Sequence, residues 1–122
     1  MKSYISIFEI PATDISRAIK FYQTILDINI EKIEMSGLEI GLFPYEEHMI
    51  TGVIMKGEGF KPSAEGVTIY LNAGNNLQVI LDKVAQNNSK VIIPKTQHAD
   101  GIGYFAIFLD SEGNKIGLHS PN

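Results

Sequence analysis

The chain has 122 residues, a formal net charge of −4 and no cysteine. This length allows one domain with a sizeable core, and the lack of cysteine excludes disulfides, thiolate metal sites and a cysteine nucleophile. The sequence contains no run of Lys or Arg of the kind that indicates a nucleic-acid partner. No apolar window approaches the roughly 20 residues of a membrane span. The N-terminus lacks the apolar segment of a signal peptide, so we expect a soluble, cytoplasmic protein without a membrane partner.

The first half of the chain predicts one strand, one helix and three further strands. The alternating stretch "YISIFEI" is typical of a strand, and helical spacing follows over residues 14–27, with Thr13 or Asp14 placed to cap the helix. Strands are then predicted at 28–35, 37–43 and 49–57, with turn-forming residues between them.

The second half repeats this order. A strand is predicted at 67–71, a helix at 75–87 behind Asn75 or Asn76, and three strands at 89–95, 103–110 and 115–120. The helical patterns superpose at an offset of 62, with Ile15 on Leu77, and the strands at 61, which is half of 122. The repeat predicts a single α+β domain of two tandem βαβββ modules, module one at about 1–57 and module two at about 66–122.

The two modules are expected to form curved mixed sheets around a central cleft. Each helix covers one face of its own sheet, so the other face must be closed by a neighbouring module. The two-residue period of a strand separates the two faces. The residues predicted to pack under the helices are Ser6, Phe8, Ile10, Val67, Ile69 and Leu71. The residues predicted to face the cleft are Ile5, Ile7, Glu9, Thr68, Tyr70, Asn72, Lys115, Gly117 and His119.

Two segments carry a resemblance to a known family. The helix "DISRAIKFYQTIL" is similar to the helix with a Phe-Tyr pair in the vicinal oxygen chelate superfamily, the glyoxalase and bleomycin resistance-like proteins. The segment "DSEGNKIGL" is similar to that family's Asp-x-x-Gly-Asn-x-Ile-Glu-Leu ending. The resemblance covers nearly the whole chain and implies the two-module fold, often as a homodimer. In the family's enzymes it also implies a divalent metal, held by one residue from the first and last strand of each module.

The metal ligands that the resemblance implies are missing here. The first-strand positions fall on Ile7 and on Thr68, or on Ile69 if the helix offset is used. The last-strand glutamate falls on Gly117, and the fourth ligand would come from residues 52–56, which contain neither a carboxylate nor an imidazole. Divalent ions of this kind need nitrogen, sulfur or carboxylate oxygen donors. We therefore expect no metal and no other cofactor.

Several polar side chains are candidates for function in the expected cleft. Glu9 lies where glutathione-using relatives carry an arginine, which argues against a glutathione adduct. Glu9, Tyr70 and His119 share one predicted face, where they could perform acid–base chemistry or bind a polar or cationic ligand. His98 lies on a loop before a glycine-rich turn, where it could reach over the mouth of the cleft. Gly117 leaves space where the family's glutamate would stand.

Two functions follow from these residues. The first is a protein that binds a small organic molecule in the cleft through Ile7, Thr68, Tyr70, His98 and Gly117. The alternative is a metal-independent lyase or isomerase that acts on a small carbonyl or hydroxylated compound, with Glu9 and His119 as catalytic residues. In either case we expect a homodimer, because a twofold partner could cover the sheet edges and the apolar surface around residues 43–50.

Overall fold

The computed structural model describes residues 3–47, 50–99 and 101–122. The first module runs β1, α1, β2, β3, β4 and the second runs β5, α2, β6, β7, β8. The bounds are β1 Ile7–Pro11, α1 Ile15–Leu26, β2 Glu31–Met35, β3 Leu38–Leu42, β4 Thr51–Lys56, β5 Ile69–Asn72, α2 Gln78–Gln86, β6 Val91–Gln97, β7 Tyr104–Leu109 and β8 Lys115–Ser120. All ten predicted elements are confirmed, although Met49, the predicted start of β4, lies outside the described residues.

Each module builds one four-stranded mixed sheet. The first sheet has the order β1-β4-β3-β2 and the second has the order β5-β8-β7-β6. In both sheets the first strand of the module pairs in parallel with the last, and the other pairs are antiparallel. The predicted α+β fold of two βαβββ modules is therefore confirmed. Strands β1 and β5 each lie at an edge, so each has one free side.

The two helices and one face of each sheet form a single hydrophobic core. The buried residues of α1 recur at helical spacing, as expected for an amphipathic helix: Ile15, Ala18, Ile19, Phe21, Tyr22 and Ile25. They join Ile10 and Ile54 of the first sheet and Leu71, Phe108 and Leu118 of the second. We call the opposite face of each sheet its open face. No helix among the described residues is long and apolar enough to cross a membrane.

The alternation predicted along the first strands holds within the strands and fails just before them. Phe8, Ile10, Ile69 and Leu71 belong to the core or pack against it, as predicted. The prediction was wrong for Ser6 and Val67, which are exposed, Val67 to 93%. Both residues precede the first paired residue of their strand, so no pleat directs their side chains toward the helices.

The β7–β8 turn of module two joins the two modules at the start of α1. The side chain of Glu112 is fully buried, and its Oε1 accepts hydrogen bonds from the backbone N–H groups of Thr13 and Asp14, both at 2.9 Å. Its Oε2 accepts from Arg17 Nε at 2.7 Å. Burial alone would raise the pKa of Glu112, but the hydrogen bonds from Arg17, the Asp14 amide, Ser111 and the Thr13 amide lower it to about 2.

A buried polar network continues this contact into the core. Tyr22 of α1 donates a hydrogen bond to Asp110 Oδ2 at 2.6 Å, and Asn114 Nδ2 donates to Pro11 O at 2.8 Å and to the same Asp110 oxygen at 3.0 Å. Burial, then the neighbouring Asp110 carboxylate, raises the pKa of Tyr22 well above its ordinary value. The segment "DSEGNKIGL", one of the two that resemble the family, therefore connects module two to module one.

Candidate functional site

A large groove lies between the two modules. Its volume is about 1080 Å³, and its walls include Phe8, Leu26, Ile28 and Phe43 from module one and Ile69, Leu71 and Ile80 from module two. None of the described residues that line it carries a charge. The predicted cleft residues Thr68 and Tyr70 both line this groove.

The groove follows the free side of β5. Every residue from 67 to 74 lines it, and β5 is an edge strand whose other side pairs with β8. An edge strand presents unpaired N–H and C=O groups on its free side. Together with Thr51 and Thr68, these groups place a few polar atoms in an otherwise apolar groove, which is typical of small-molecule sites.

The presence of glycine at position 117 is explained by the Tyr70 ring, which lies directly beside it. The two residues are direct partners in the parallel β5–β8 pair. A Cβ built on residue 117 would lie 2.6 Å from Cε2 and 2.8 Å from Cγ of Tyr70, so a side chain at this position requires the Tyr70 ring to move. The space expected to be open for a ligand above Gly117 is therefore filled by the protein's own Tyr70 ring, and that expectation is corrected here.

Three further rings join Tyr70 on the open face of the second sheet. The Phe105 ring lies edge-on to Tyr70 and to His98, with centroid distances of 6.5 and 6.0 Å, and His98 lies edge-on to His119 at 6.0 Å. We call Tyr70, His98, Phe105 and His119 the aromatic cluster. Phe105 is opposite His119 in the β7–β8 register. Phe105 is not predicted as a site residue, because "YFAIFL" is apolar on both faces and the strand register is not visible in the sequence.

A tight loop carries His98 into this cluster. His98 N donates to Gly103 O and Gly101 N donates to His98 O, both at 2.9 Å. Gly103 has φ +85°, and a Cβ built there would lie 2.9 Å from Ser120 O and 3.3 Å from His119 Nε2. Glycine is required at this position because φ lies in the left-handed region and a Cβ would meet the Ser120 carbonyl oxygen.

The remaining candidates lie on the open face of the first sheet. Ile7 is 60% exposed, and Glu9 is also exposed. Glu9 and Lys115 line a smaller cavity of about 210 Å³ between β1 and β8. His119 is four residues further along β8 than Lys115, or roughly 13 Å at about 3.3 Å per strand residue. The structure thus gathers Tyr70, His98, Gly117 and His119 and leaves Ile7 and Glu9 on the other sheet.

Equivalent positions in the two modules can be read from two backbone hydrogen bonds. Ala12 N donates to Met55 O and Ala73 N donates to His119 O, both at 2.9 Å. Ala12 therefore corresponds to Ala73, which is an offset of 61 for the first strands. In this register the second-module equivalent of Ile7, the first-strand position of the family's metal ligand, is Thr68 rather than Ile69.

The same register completes the set of positions at which the family's enzymes hold a metal. Two residues before Met55 and before His119 lie Val53 and Gly117, which face the same side as the first-strand positions. The resulting set is Ile7, Val53, Thr68 and Gly117. This set offers one hydroxyl oxygen and no carboxylate or imidazole, so its chemistry does not fit a divalent ion. Among the described ranges, no three His, Asp or Glu side chains form a group that could hold a metal.

Two mixed sheets built from repeated βαβββ modules define a glyoxalase-type fold. The model of the Glyoxalase/Bleomycin resistance protein/Dioxygenase superfamily matches residues 4–118, and the chain belongs to this superfamily. A glyoxylase-like domain-containing protein of Didymella fabae is 30% identical over 115 residues, which cover 90% of this chain and 88% of that protein.

Solved structures share the fold at low sequence identity. A glyoxylase/bleomycin resistance protein/dioxygenase domain from Frankia sp. EAN1pec superposes with a TM-score of 0.77 at 13% identity, covering 100% of this chain and 94% of that one. The fosfomycin resistance protein FosX from Listeria monocytogenes superposes with a TM-score of 0.68 at 18% identity, with coverage of 100% and 94%.

Proposed function

We propose that this chain binds a small, uncharged and largely apolar organic molecule in the groove between its modules, without a metal ion. The observation that carries this proposal is the groove itself, which is large and has no charged residue among its described walls. A concave apolar site with a few polar groups is the usual form of a small-molecule site. Membership of a superfamily that includes bleomycin resistance proteins supports the same function.

The chemistry of the groove restricts its ligand. Phe8, Phe43 and Ile80 offer contacts to an apolar body, and the free side of β5 offers hydrogen bonds to one polar end. A charged group buried among these walls would have no countercharge, which makes its transfer from water unfavourable. The ligand should therefore carry hydroxyl, carbonyl or amide groups rather than ionised ones.

The test uses N-phenyl-1-naphthylamine, an uncharged fluorescent probe, and two variants of neighbouring residues on α2. Ile80 lines the groove, whereas Val79 is 59% exposed on the same helix. We expect Ile80→Glu to weaken probe binding about tenfold or more, because it buries a carboxylate beside the ligand. Val79→Glu should leave binding within about twofold. Equal effects of the two variants, or no binding by the unmodified protein, would overturn the proposal.

The absence of a metal is tested separately. We expect elemental analysis of the purified protein to find no stoichiometric divalent metal, and probe binding to survive dialysis against a chelator. One metal ion per chain would contradict the assignment of the four positions given above.

The acid–base alternative needs Glu9 and His119 to reach one substrate. Within one chain Glu9 shares a cavity with Lys115, and His119 lies roughly 13 Å further along β8, so for this alternative we propose that Glu9 and His119 meet one substrate across two copies of the chain. We propose that the chain forms such a homodimer, because Ile7, Met35 and Tyr70 leave apolar surface on both open faces. We also propose that it is located in the cytoplasm, as expected from its sequence. Of residues 43–50, expected to contribute to this interface, His48 and Met49 lie outside the described residues. Light scattering should give twice the 13.5 kDa mass of one chain.

A further inference from the structure

We propose that a cavity between α1 and the β7–β8 turn is a second binding site, which takes a small hydroxylated phosphate ester. The cavity has a volume of about 430 Å³, and its walls come from α1, from the turn that follows α2 and from the β7–β8 turn. None of the described residues that line it also lines the groove between the modules. We call it the junction cavity.

The junction cavity holds cationic donors that are not used elsewhere in the described structure. Arg17 donates from Nε and Nη2 to Glu112 and Thr13, whereas its Nη1 has no acceptor among the described residues. Lys90 also lines the cavity, is exposed, and has no ion pair within the described ranges. A guanidinium group and an ammonium group are the side chains that bind phosphate most strongly.

The two carboxylates beside the junction cavity are saturated by internal hydrogen bonds. Asp110 is buried and accepts from the backbone N–H groups of Glu112 and Asn114, from Tyr22 and from Asn114 Nδ2. The fully buried Glu112 side chain accepts the contacts described above and another from Ser111 Oγ at 3.0 Å. Because neither carboxylate is left unpaired for a cation, while two cationic groups still have donors, the charges favour an anionic ligand.

The end of α2 does not oppose an anion. The last carbonyls of a helix carry a partial negative charge, which would repel a phosphate group. Here the carbonyl oxygens of Lys83, Val84 and Ala85 each accept from a backbone N–H group of residues 87–89. These hydrogen bonds engage the carbonyls within the turn itself.

The remaining walls favour a hydroxylated body on the ligand. Asn88 and Ser89 offer amide and hydroxyl groups to the cavity. Phe21 and Leu109 are the only large apolar residues among its described walls, and Phe21 is only 6% exposed. The volume lies in the range of about 300 to 1,000 Å³ that is usual for small-molecule sites, so the cavity can hold more than a phosphate group.

The experiment uses calorimetry to measure the affinity of the full chain for glycerol 3-phosphate and three related probes. Glycerol keeps the hydroxyl groups without the charge, inorganic phosphate keeps the charge without the body, and 3-amino-1,2-propanediol reverses the charge. We expect glycerol 3-phosphate to bind about tenfold more tightly than each of the others, and its affinity to fall as the salt concentration rises. No binding of glycerol 3-phosphate, or equally tight binding of the cation, would overturn the proposal.

A pair of lysine variants locates the site. Lys90→Gln should weaken binding of glycerol 3-phosphate about tenfold, because it removes one of the two cations. Lys61→Gln is the matched control, since Lys61 is also exposed and lies outside the junction cavity, and it should stay within about twofold. An unchanged affinity for Lys90→Gln, or an equal loss for Lys61→Gln, would contradict the site.

Arg17→Lys tests the second cation. This variant keeps a positive charge beside Glu112 but removes the planar guanidinium and its Nη1 donor. We expect glycerol 3-phosphate to bind about fivefold more weakly, with unchanged binding of N-phenyl-1-naphthylamine showing that the groove and the fold are intact. An unchanged affinity for glycerol 3-phosphate would contradict the role of Arg17.

The two sites can be tested apart because their probes differ in charge. If Ile80→Glu weakens binding of glycerol 3-phosphate and Lys90→Gln does not, the ester occupies the groove and the junction cavity is not its site. The groove is read independently with N-phenyl-1-naphthylamine, so failure of either proposal leaves the other measurable.

Discussion

The two helices occupy equivalent places in the repeated modules, but their first turns are held by different means. The start of α1 is held by charged groups. Asp14 Oδ1 accepts a hydrogen bond from Arg17 N at 3.0 Å, and Glu112 of the other module accepts from two further backbone N–H groups and from Arg17. The carboxylates also lie at the positive end of the helix dipole.

The backbone N–H groups at the start of α2 donate to neutral acceptors. Leu77 precedes the helix, and its N–H donates to Ser120 Oγ at 2.9 Å. Gln78 N donates to Asn76 Oδ1 at 3.0 Å, and the same oxygen accepts from Lys95 Nζ. None of these acceptors is a charged side chain. The contact that the Glu112 carboxylate of the other module makes with the start of α1 therefore has no equivalent among the acceptors at the start of α2.

The difference extends to what lies beside each helix. Beside α1, the β7–β8 turn fills the contact between the modules. Beside α2, Phe43, Pro44 and Ile50, from the corresponding β3–β4 connection, border the large groove instead. A duplicated module thus produces two junctions that can diverge, with one fixing the modules together and the other bordering an open groove.

Replacing Glu112 should produce the largest loss of stability. Glu112→Ala removes the acceptor of two backbone N–H groups and of Arg17, so we expect the free energy of unfolding to fall by roughly 3 kcal/mol. Chemical denaturation measures this change. Asp82→Ala is the control, since Asp82 is an exposed carboxylate on α2 whose oxygen accepts from Gln78, and it should change stability by less than about 0.5 kcal/mol. Similar losses in the two variants would remove the distinction between the junctions.

The same carboxylate should make stability depend on acid pH. The pKa of Glu112 in the folded protein is about 2, against an ordinary value of 4.5. Because the folded-state pKa is the lower one, the unfolded chain binds the proton first, and the stability that Glu112 contributes is present above about pH 4.5 and is lost as the pH falls toward 2. The difference in unfolding free energy between the unmodified protein and Glu112→Gln should therefore shrink across this window. A difference that stays constant from pH 6 to pH 2 would assign the effect of the variant to lost packing.

The sequence allowed the start of α1 to be predicted and the start of α2 only in part, because Asn76, one of the two residues expected there, does accept from Gln78 N. Asp14 was predicted as a capping residue because an N-cap hydrogen bond is local, reaching only three residues ahead. The start of α2 was placed three residues early, at 75 rather than 78, because Leu77 is held by Ser120, which is 43 residues away. The strands and the buried face of α1 were predictable for the same reason as Asp14, since periodicity is local.

The candidate site depended on contacts that periodicity does not contain. The shared face of Tyr70, Gly117 and His119 followed from alternation, but the placement of the Tyr70 ring over Gly117 depends on the β5–β8 register. The repeat predicted a cleft between the modules, and Thr68 and Tyr70 do line the groove, but the contributions of Phe8, Leu26 and Ile80 depend on how the two modules meet. Long-range register is set by packing of the whole sheet, and a single sequence does not state it.

Replacing Ser120 should have a smaller effect than replacing Glu112, and it separates the start of α2 from the charged start of α1. Ser120→Ala leaves the buried Leu77 N–H without its acceptor, so we expect a loss of about 1 to 2 kcal/mol in the free energy of unfolding. The loss should be nearly independent of pH between 6 and 3, because no ionisable group takes part in the bond. Hydrogen exchange at the amides of residues 77–81 should accelerate, while amides in the first turn of α1 should stay protected.

Asp14→Ala is the matched variant at the other helix, with an expected loss of about 1 kcal/mol and faster exchange confined to α1. Because the two helices share one core, acceleration of both first turns by Ser120→Ala would mean that the junctions unfold together and that their different contacts do not divide the stability between them.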